Sequence, residues 1–191
     1  MTDLVFAAPT WPTVPVVGGG AFPVRRVFCV GRNYAAHAKE MGFEVDREAP
    51  FYFTKSPLAI LPTGRTVPYA LGTKNFHYEM EFVVAIGAPA FRAAKETAMD
   101  AVFGYACGLD MTRRDLQIAL RDKGRPWDLA KDVENSAVIA PITRKEAFGA
   151  VAGQRITLAV DGAVRQDARL SELVWSIPEL IADLSKFYHL A

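Results

Sequence analysis

Histidine and cysteine are scarce in this chain, with 3 and 2 among 191 residues. Cys29 and Cys107 each fall in an apolar, strand-like run. That placement points to buried free thiols rather than to a disulfide or a metal role. No apolar run reaches the length of a membrane span. Residues 1–17 show no basic region followed by an apolar core, so no secretory leader is expected and the cytoplasm is the expected compartment. An excess of one charge is missing too: Lys plus Arg is 22 and Asp plus Glu is 21. That balance gives no electrostatic case for nucleic acid or an anionic membrane as a partner. What is there is ordinary for a globular protein, 51% hydrophobic and 23% charged, enough for one sizeable core or two small ones.

Many short strands and few short helices are expected along the chain. Residues 1–23 carry Pro9, Pro12, Pro15 and Gly18-Gly19-Gly20 and are expected as an extended arm with a turn. Strands are expected at 27–30, 51–53, 77–86 and 102–109, with helical turns at 34–41, 92–100, 112–121 and 177–187. Residues 58–69 hold Pro62 and Pro68 and are expected as loops and short extended pieces. Thr112 and Asp115 have the spacing of a capping box, and Asp161-Gly162 that of a tight hairpin turn between 155–160 and 163–166. Pro178 suits the first turn of the last helix. The fold class expected is α+β, β-rich, rather than a doubly wound sheet.

The run Phe76-His77-Tyr78-Glu79-Met80-Glu81-Phe82-Val83-Val84 alternates strictly. A strand puts His77, Glu79 and Glu81 on one face. Two carboxylates so close raise each other's pKa unless a cation neutralises them. A wet strand face also alternates, and Glu is common there. Val83 and Ala85, however, continue the carboxylate face as apolar positions, which favours a strand running from a site into a core. Asp110 closes the next apolar strand where a helix begins. It is either a cap for free N–H groups or a third carboxylate. Three such ligands suit Mg²⁺, at roughly 2.1 Å, better than zinc, for which cysteine and histidine ligands are wanting.

Other candidates each have a plain alternative. Arg114 and Gln117 follow Asp110 on one helical face, to grip a substrate carboxylate or to sit in water. His37 and Glu40 are three apart, so Glu40 can orient the ring and make the other nitrogen a better base. Lys131 and Lys55 are either surface lysines or ammonium groups beside a metal site, able to oppose an oxyanion. His77 is a distant ligand or a strand-face partner.

Four segments in order resemble the fumarylacetoacetate hydrolase family. They are Val30-Gly31-Arg32-Asn33-Tyr34-Ala35-Ala36-His37, His77-Tyr78-Glu79-Met80-Glu81, Gly108-Leu109-Asp110-Met111-Thr112-Arg113-Arg114-Asp115-Leu116-Gln117, and Gly124-Arg125-Pro126-Trp127 leading to Lys131. The wording at 38–43 and 111–117 is most like the bacterial fumarylpyruvate hydrolases of gentisate breakdown. The resemblance implies a β-roll with short peripheral helices, usually a homodimer, and hydrolysis of a carbon–carbon bond in a 1,3-diketo acid. It implies Glu79, Glu81 and Asp110 as ligands of Mg²⁺ or Mn²⁺, His37 and Glu40 as the water-activating pair, and Lys131 as the stabiliser of developing charge. Arg32, Arg114 and Gln117 would lie near the substrate. Other acylpyruvate hydrolysis, oxaloacetate decarboxylation and dienedioate isomerisation use related chemistry. A catalytically inactive metal- or ligand-binding scaffold is the alternative of another class. The resemblance also implies further strands and a glycine-rich loop beyond Ala191. Residues 24–191 are thus expected as a single catalytic domain, incomplete on its C-terminal side.

Overall fold

The computed structural model describes residues 4–8, 10–34, 47 and 49–191. Its centre is a five-stranded sheet around the nine-residue strand Val102–Asp110. Met80–Ile86 lies antiparallel along one side of that strand, and Ala137–Ile139 and Thr143–Arg144 lie antiparallel along the other. Ile60–Pro62 then pairs parallel with Ala137–Ile139. The two faces of Met80–Ile86 serve different cores. Val83 and Ala85 pack with Val14, Ile60, Ala106 and Ile142, while Phe82, Val84 and Ile86 pack with Tyr105, Ile181 and Leu184. Burial of both faces explains why the strand reads as almost continuously apolar after Glu81.

Smaller pieces close round this sheet. Within the stretch expected as an arm, Thr13–Pro15 and Ala21–Pro23 form a hairpin whose Val14 is fully buried. Backbone bonds from Val17 to Ile142 (2.9 Å) and from Ile142 to Pro15 (2.8 Å) fasten it to the body. Val27–Gly31 pairs with Phe51–Lys55, and Phe76–His77 with Thr112–Arg113. Arg155–Val160 and Ala163–Arg169 form the hairpin that Asp-Gly suggested, with positive φ at both Asp161 (51°) and Gly162 (79°), as a twisted two-residue turn needs. The last helix, Ile177–Leu184, carries Pro178 in its first turn.

Several expectations are corrected. The strand expected at 77–86 is two strands, broken at Tyr78 and Glu79, because the first piece pairs with Thr112–Arg113 and the second with Val102–Asp110. Thr112 belongs to a strand and caps nothing. The helix runs Arg114–Arg121 without a side-chain cap, and Asp115 instead accepts from the Thr73 hydroxyl (2.5 Å) and the Lys74 amide (2.9 Å). Residues 92–100 hold no α-helix; a 3₁₀ turn forms at Ala98–Ala101. Cys107 is exposed, against the expectation of two buried thiols, and Cys29 is half-buried. An apolar run does not bury every position on both faces. Ile60–Pro62, in the stretch expected as loops and short extended pieces, is a short strand that joins the main sheet. The helical turn expected at 34–41 falls almost wholly outside the described residues.

Candidate active site

Strand register brings the carboxylates together. Glu81 pairs with Gly108 across the ladder, and Asp110 stands two residues farther on the same face. Glu79 lies in the break before Met80, where its carbonyl accepts the Asp110 amide at 2.8 Å. Gly108 makes room for this crossing: a Cβ there would stand 2.8 Å from Val83 Cγ2 and 3.0 Å from the Val138 carbonyl. Glu79 and Asp110 are buried. Burial, then the Asp110 and Glu79 charges, pushes the Glu81 carboxyl up to about 8, with Lys131 opposing.

Lys131 is inside, not on the surface. It ends the short helix Asp128–Lys131 and is 1% exposed. Its ammonium donates to Glu79 Oε2 (2.8 Å), Asp110 Oδ2 (2.7 Å) and Thr112 Oγ1 (2.8 Å). Those three bonds use all three of its hydrogens. Burial alone would lower its pKa, but the Asp110 and Glu79 charges outweigh that and raise it. The Phe53 ring lies 4.9 Å from Nζ. Trp127, just before the helix, meets Phe51 and Phe53 edge-on with centroids 5.5 and 5.8 Å away. This aromatic wall fixes the helix end.

Arg114 and Gln117 are buried and share the inner face of their helix, so the solvated alternative is excluded. Arg114 Nη2 lies 2.9 Å from Glu79 Oε1 and 3.2 Å from His77 Nδ1, and Nη1 donates to Gln117 Oε1 at 2.5 Å. His77 is thereby a neighbour of the guanidinium. Lys55, a surface lysine or a site ammonium by sequence alone, lies inside the centre. It is 2% exposed, and its Nζ stands 2.9 Å from Asp110 Oδ1.

The three carboxylates, Lys55, Lys131, Arg114 and Gln117 line one cavity of about 1210 Å³, together with Arg32, Asn33, Tyr34 and Trp127. Arg32 is exposed at left-handed φ (57°), with its guanidinium 5.6 Å from the Phe51 ring. The Tyr34 phenol is raised in pKa by burial, with Glu81 adding to it. His37 and Glu40 lie outside the described residues. Among the described residues, no group of three or more His, Cys, Asp or Glu stands as a ready metal cage; the Lys131 ammonium bridges Glu79 and Asp110.

The family model described as fumarylacetoacetate (FAA) hydrolase C-terminal matches residues 26–191. The chain belongs to the fumarylacetoacetate hydrolase family. A fumarylpyruvate hydrolase of Ralstonia sp. is 50% identical over 152 residues, covering 78% of this chain and 79% of the relative. The mitochondrial oxaloacetate tautomerase of Homo sapiens is 38% identical over 162 residues, covering 85% and 73%. Among solved structures, fumarylpyruvate hydrolase from Pseudomonas aeruginosa in complex with Mn²⁺ and pyruvate superposes with a TM-score of 0.94. It is 44% identical, over 98% of this chain and 83% of that one. The strand-rich fold with few short helices is therefore the fold of this family, as the ordered motifs implied.

Within this fumarylacetoacetate hydrolase fold, residues distant in sequence converge. Glu79, Glu81, Asp110, Arg114, Gln117 and Lys131 all line the cavity, and Arg32 reaches it from the strand end after Gly31. A signal for Lys55 existed. In the strand Phe51–Lys55, residues 51, 53 and 55 share one side, and the aromatic members of that side wall the site.

Proposed function

We propose that the chain hydrolyses a carbon–carbon bond of a 1,3-diketo acid, with fumarylpyruvate giving fumarate and pyruvate. The observation that carries this reading is the buried group of Glu79, Asp110 and Lys131 with Arg114 at its side, all facing one cavity. The 50% identical fumarylpyruvate hydrolase and the related structure holding Mn²⁺ and pyruvate support it.

Glu79, Glu81 and Asp110 would hold a divalent ion, Mg²⁺ or Mn²⁺. The residues fit one. Among the described residues, Asp110 Oδ1 is buried with the Lys55 ammonium 2.9 Å away and no further partner, and burial, then the Asp110 and Glu79 charges, pushes the Glu81 carboxyl up to about 8. An oxygen-only donor set suits such hard cations. The ion supplies Lewis acidity toward the keto or enolate oxygen and the adjacent carboxylate. Arg114 and Gln117 would orient the carboxylate of the pyruvyl end, and Arg32 the acyl end. His37, oriented by Glu40, would take a proton from water. The resulting hydroxide adds to the distal carbonyl. The carbon–carbon bond then breaks, its electrons go to the pyruvate enolate, and protonation of that carbon completes the reaction. Lys131, with its hydrogens already engaged, would act as a fixed positive charge opposing the enolate. The reading includes a homodimer in the cytoplasm.

A second reading, enol–keto chemistry on oxaloacetate, is favoured by the 38% identical human oxaloacetate tautomerase. Steady-state assays with added Mg²⁺ or Mn²⁺, following fumarate and pyruvate release on one side and oxaloacetate ketonisation on the other, separate the two. Glu79→Gln is expected to lose metal and turnover together. Full turnover by that variant after metal is stripped would overturn the hydrolase reading, and inactivity of the intact chain on every diketo acid would favour a binding scaffold.

A further inference from the structure

Lys55 is a second buried cation of the centre, and its contacts differ in kind from those of Lys131. Its ammonium is surrounded by three neutral oxygens, the Met111 carbonyl (3.0 Å), the Ser136 hydroxyl (2.8 Å) and the Lys131 carbonyl. Asp110 Oδ1 is the charged partner of the same nitrogen, at 2.9 Å. Lys55 therefore sets a positive charge against Asp110 while being anchored by atoms that carry none.

The immediate charges are Glu79, Glu81 and Asp110 against Lys55, Lys131 and Arg114. When all are ionised, three negative charges meet three positive ones. We propose that Lys55 is a positioning residue that sets the charge of this centre, weakening its hold on a divalent cation and strengthening its hold on the anion that binds after it. This inference rests on the metal site proposed above. A neutralised carboxylate cluster attracts a dication less than a bare one, because a positive charge beside a ligand oxygen repels the ion. Once a dication is present, the centre carries a surplus of two positive charges. Without Lys55 that surplus is one, and a dianionic ligand is held less well.

The opposed signs make the test specific. Mn²⁺ binding to the full-length chain is measured by titration calorimetry, then oxalate binding to the Mn²⁺-loaded protein, in the natural sequence and in Lys55→Met and Lys55→Gln. Gln keeps amide hydrogens for the neutral oxygens but has no charge. Either folded variant is expected to bind Mn²⁺ at least tenfold more tightly and oxalate several-fold more weakly. Lys55→Arg, which keeps the charge, is expected to stay within threefold of the natural protein on both. A lysine serving packing alone would, when replaced, loosen the site and weaken both ligands together. That result, an unchanged Mn²⁺ affinity, or failure of both uncharged variants to fold would overturn the proposal. Absence of Mn²⁺ binding by the natural chain would overturn the metal site itself, and the Lys55 inference with it.

Discussion

Lys131 Nζ lies 2.7 Å from Asp110 Oδ2, and the same nitrogen holds Glu79 Oε2 at 2.8 Å. One ammonium thus binds two carboxylates from different parts of the sheet, Glu79 in the break before Met80–Ile86 and Asp110 at the end of Val102–Asp110. Removing it as Lys131→Met leaves both with buried negative charge. Breaking a buried pair on one side costs about 3–5 kcal/mol. The metal-free variant is expected to unfold at correspondingly lower denaturant, and Mn²⁺ is expected to recover part of the loss by supplying positive charge. Equal destabilisation with and without Mn²⁺ would show that metal and ammonium do not share these carboxylates.

Thr112 is fully buried. Its hydroxyl donates to the Asp110 carbonyl at 3.0 Å and accepts from Lys131 at 2.8 Å. Thr112→Val keeps the shape and leaves one Lys131 hydrogen without a partner, which costs about 1–3 kcal/mol. Paired with Lys131→Met, the double variant is expected to cost less than the sum of the two, since the stranded donor is gone. Strict additivity in denaturant titrations would contradict the bond.

Glu81 makes the metal-free protein sensitive to pH. Its carboxyl is pushed up to about 8 from an ordinary 4.5, by burial first and the neighbouring carboxylates next. Across that interval the folded chain keeps a proton that the unfolded chain has lost. Stability therefore falls as pH rises from about 4.5 to about 8. Chemical denaturation of chelator-treated protein across this range is expected to show the fall, and Glu81→Gln is expected to flatten it. An unchanged slope in that variant would assign the effect to another group.

Gly108→Ala tests the crossing of the central strands. The new Cβ meets Val83 Cγ2 at 2.8 Å and the Val138 carbonyl at 3.0 Å, and the carbonyl belongs to a paired strand. Overpacking of this kind costs about 1–3 kcal/mol. Because Glu81 is the partner of Gly108, turnover is expected to fall more than the folded fraction does. Calorimetry alongside turnover per folded molecule checks it.

The ladder of carboxylates was readable because strand alternation is local. Glu81, Val83 and Ala85 share a face in the sequence pattern and in the fold, with Ala85 deep in the core. Glu79 was harder to place. Its alternation with Glu81 suggested one strand, whereas the pairing of Phe76–His77 with Thr112–Arg113 interrupts it, and no pattern within residues 76–84 contains that partner. Lys131 has no periodicity to read, since its helix is four residues long; the ordered motifs supplied it. Lys55 depends on oxygens from Met111, Lys131 and Ser136, which only the folded chain assembles. The strand Ile60–Pro62 was hidden by Pro62 and its short length. A strand of three residues can still join a sheet beside a longer one.

The hairpin of Met80–Ile86 with Val102–Asp110 is linked at the Ile86 and Val102 end, whereas Glu81 and Asp110 stand at the other. Within that link Ala90, Ala98 and Ala101 are buried in the core, but the exposed residues 94–97 can change without altering the spacing between the two carboxylates. The fold keeps its reactive end apart from this exposed stretch, which leaves the stretch open to new recognition surfaces while the chemistry stays constant.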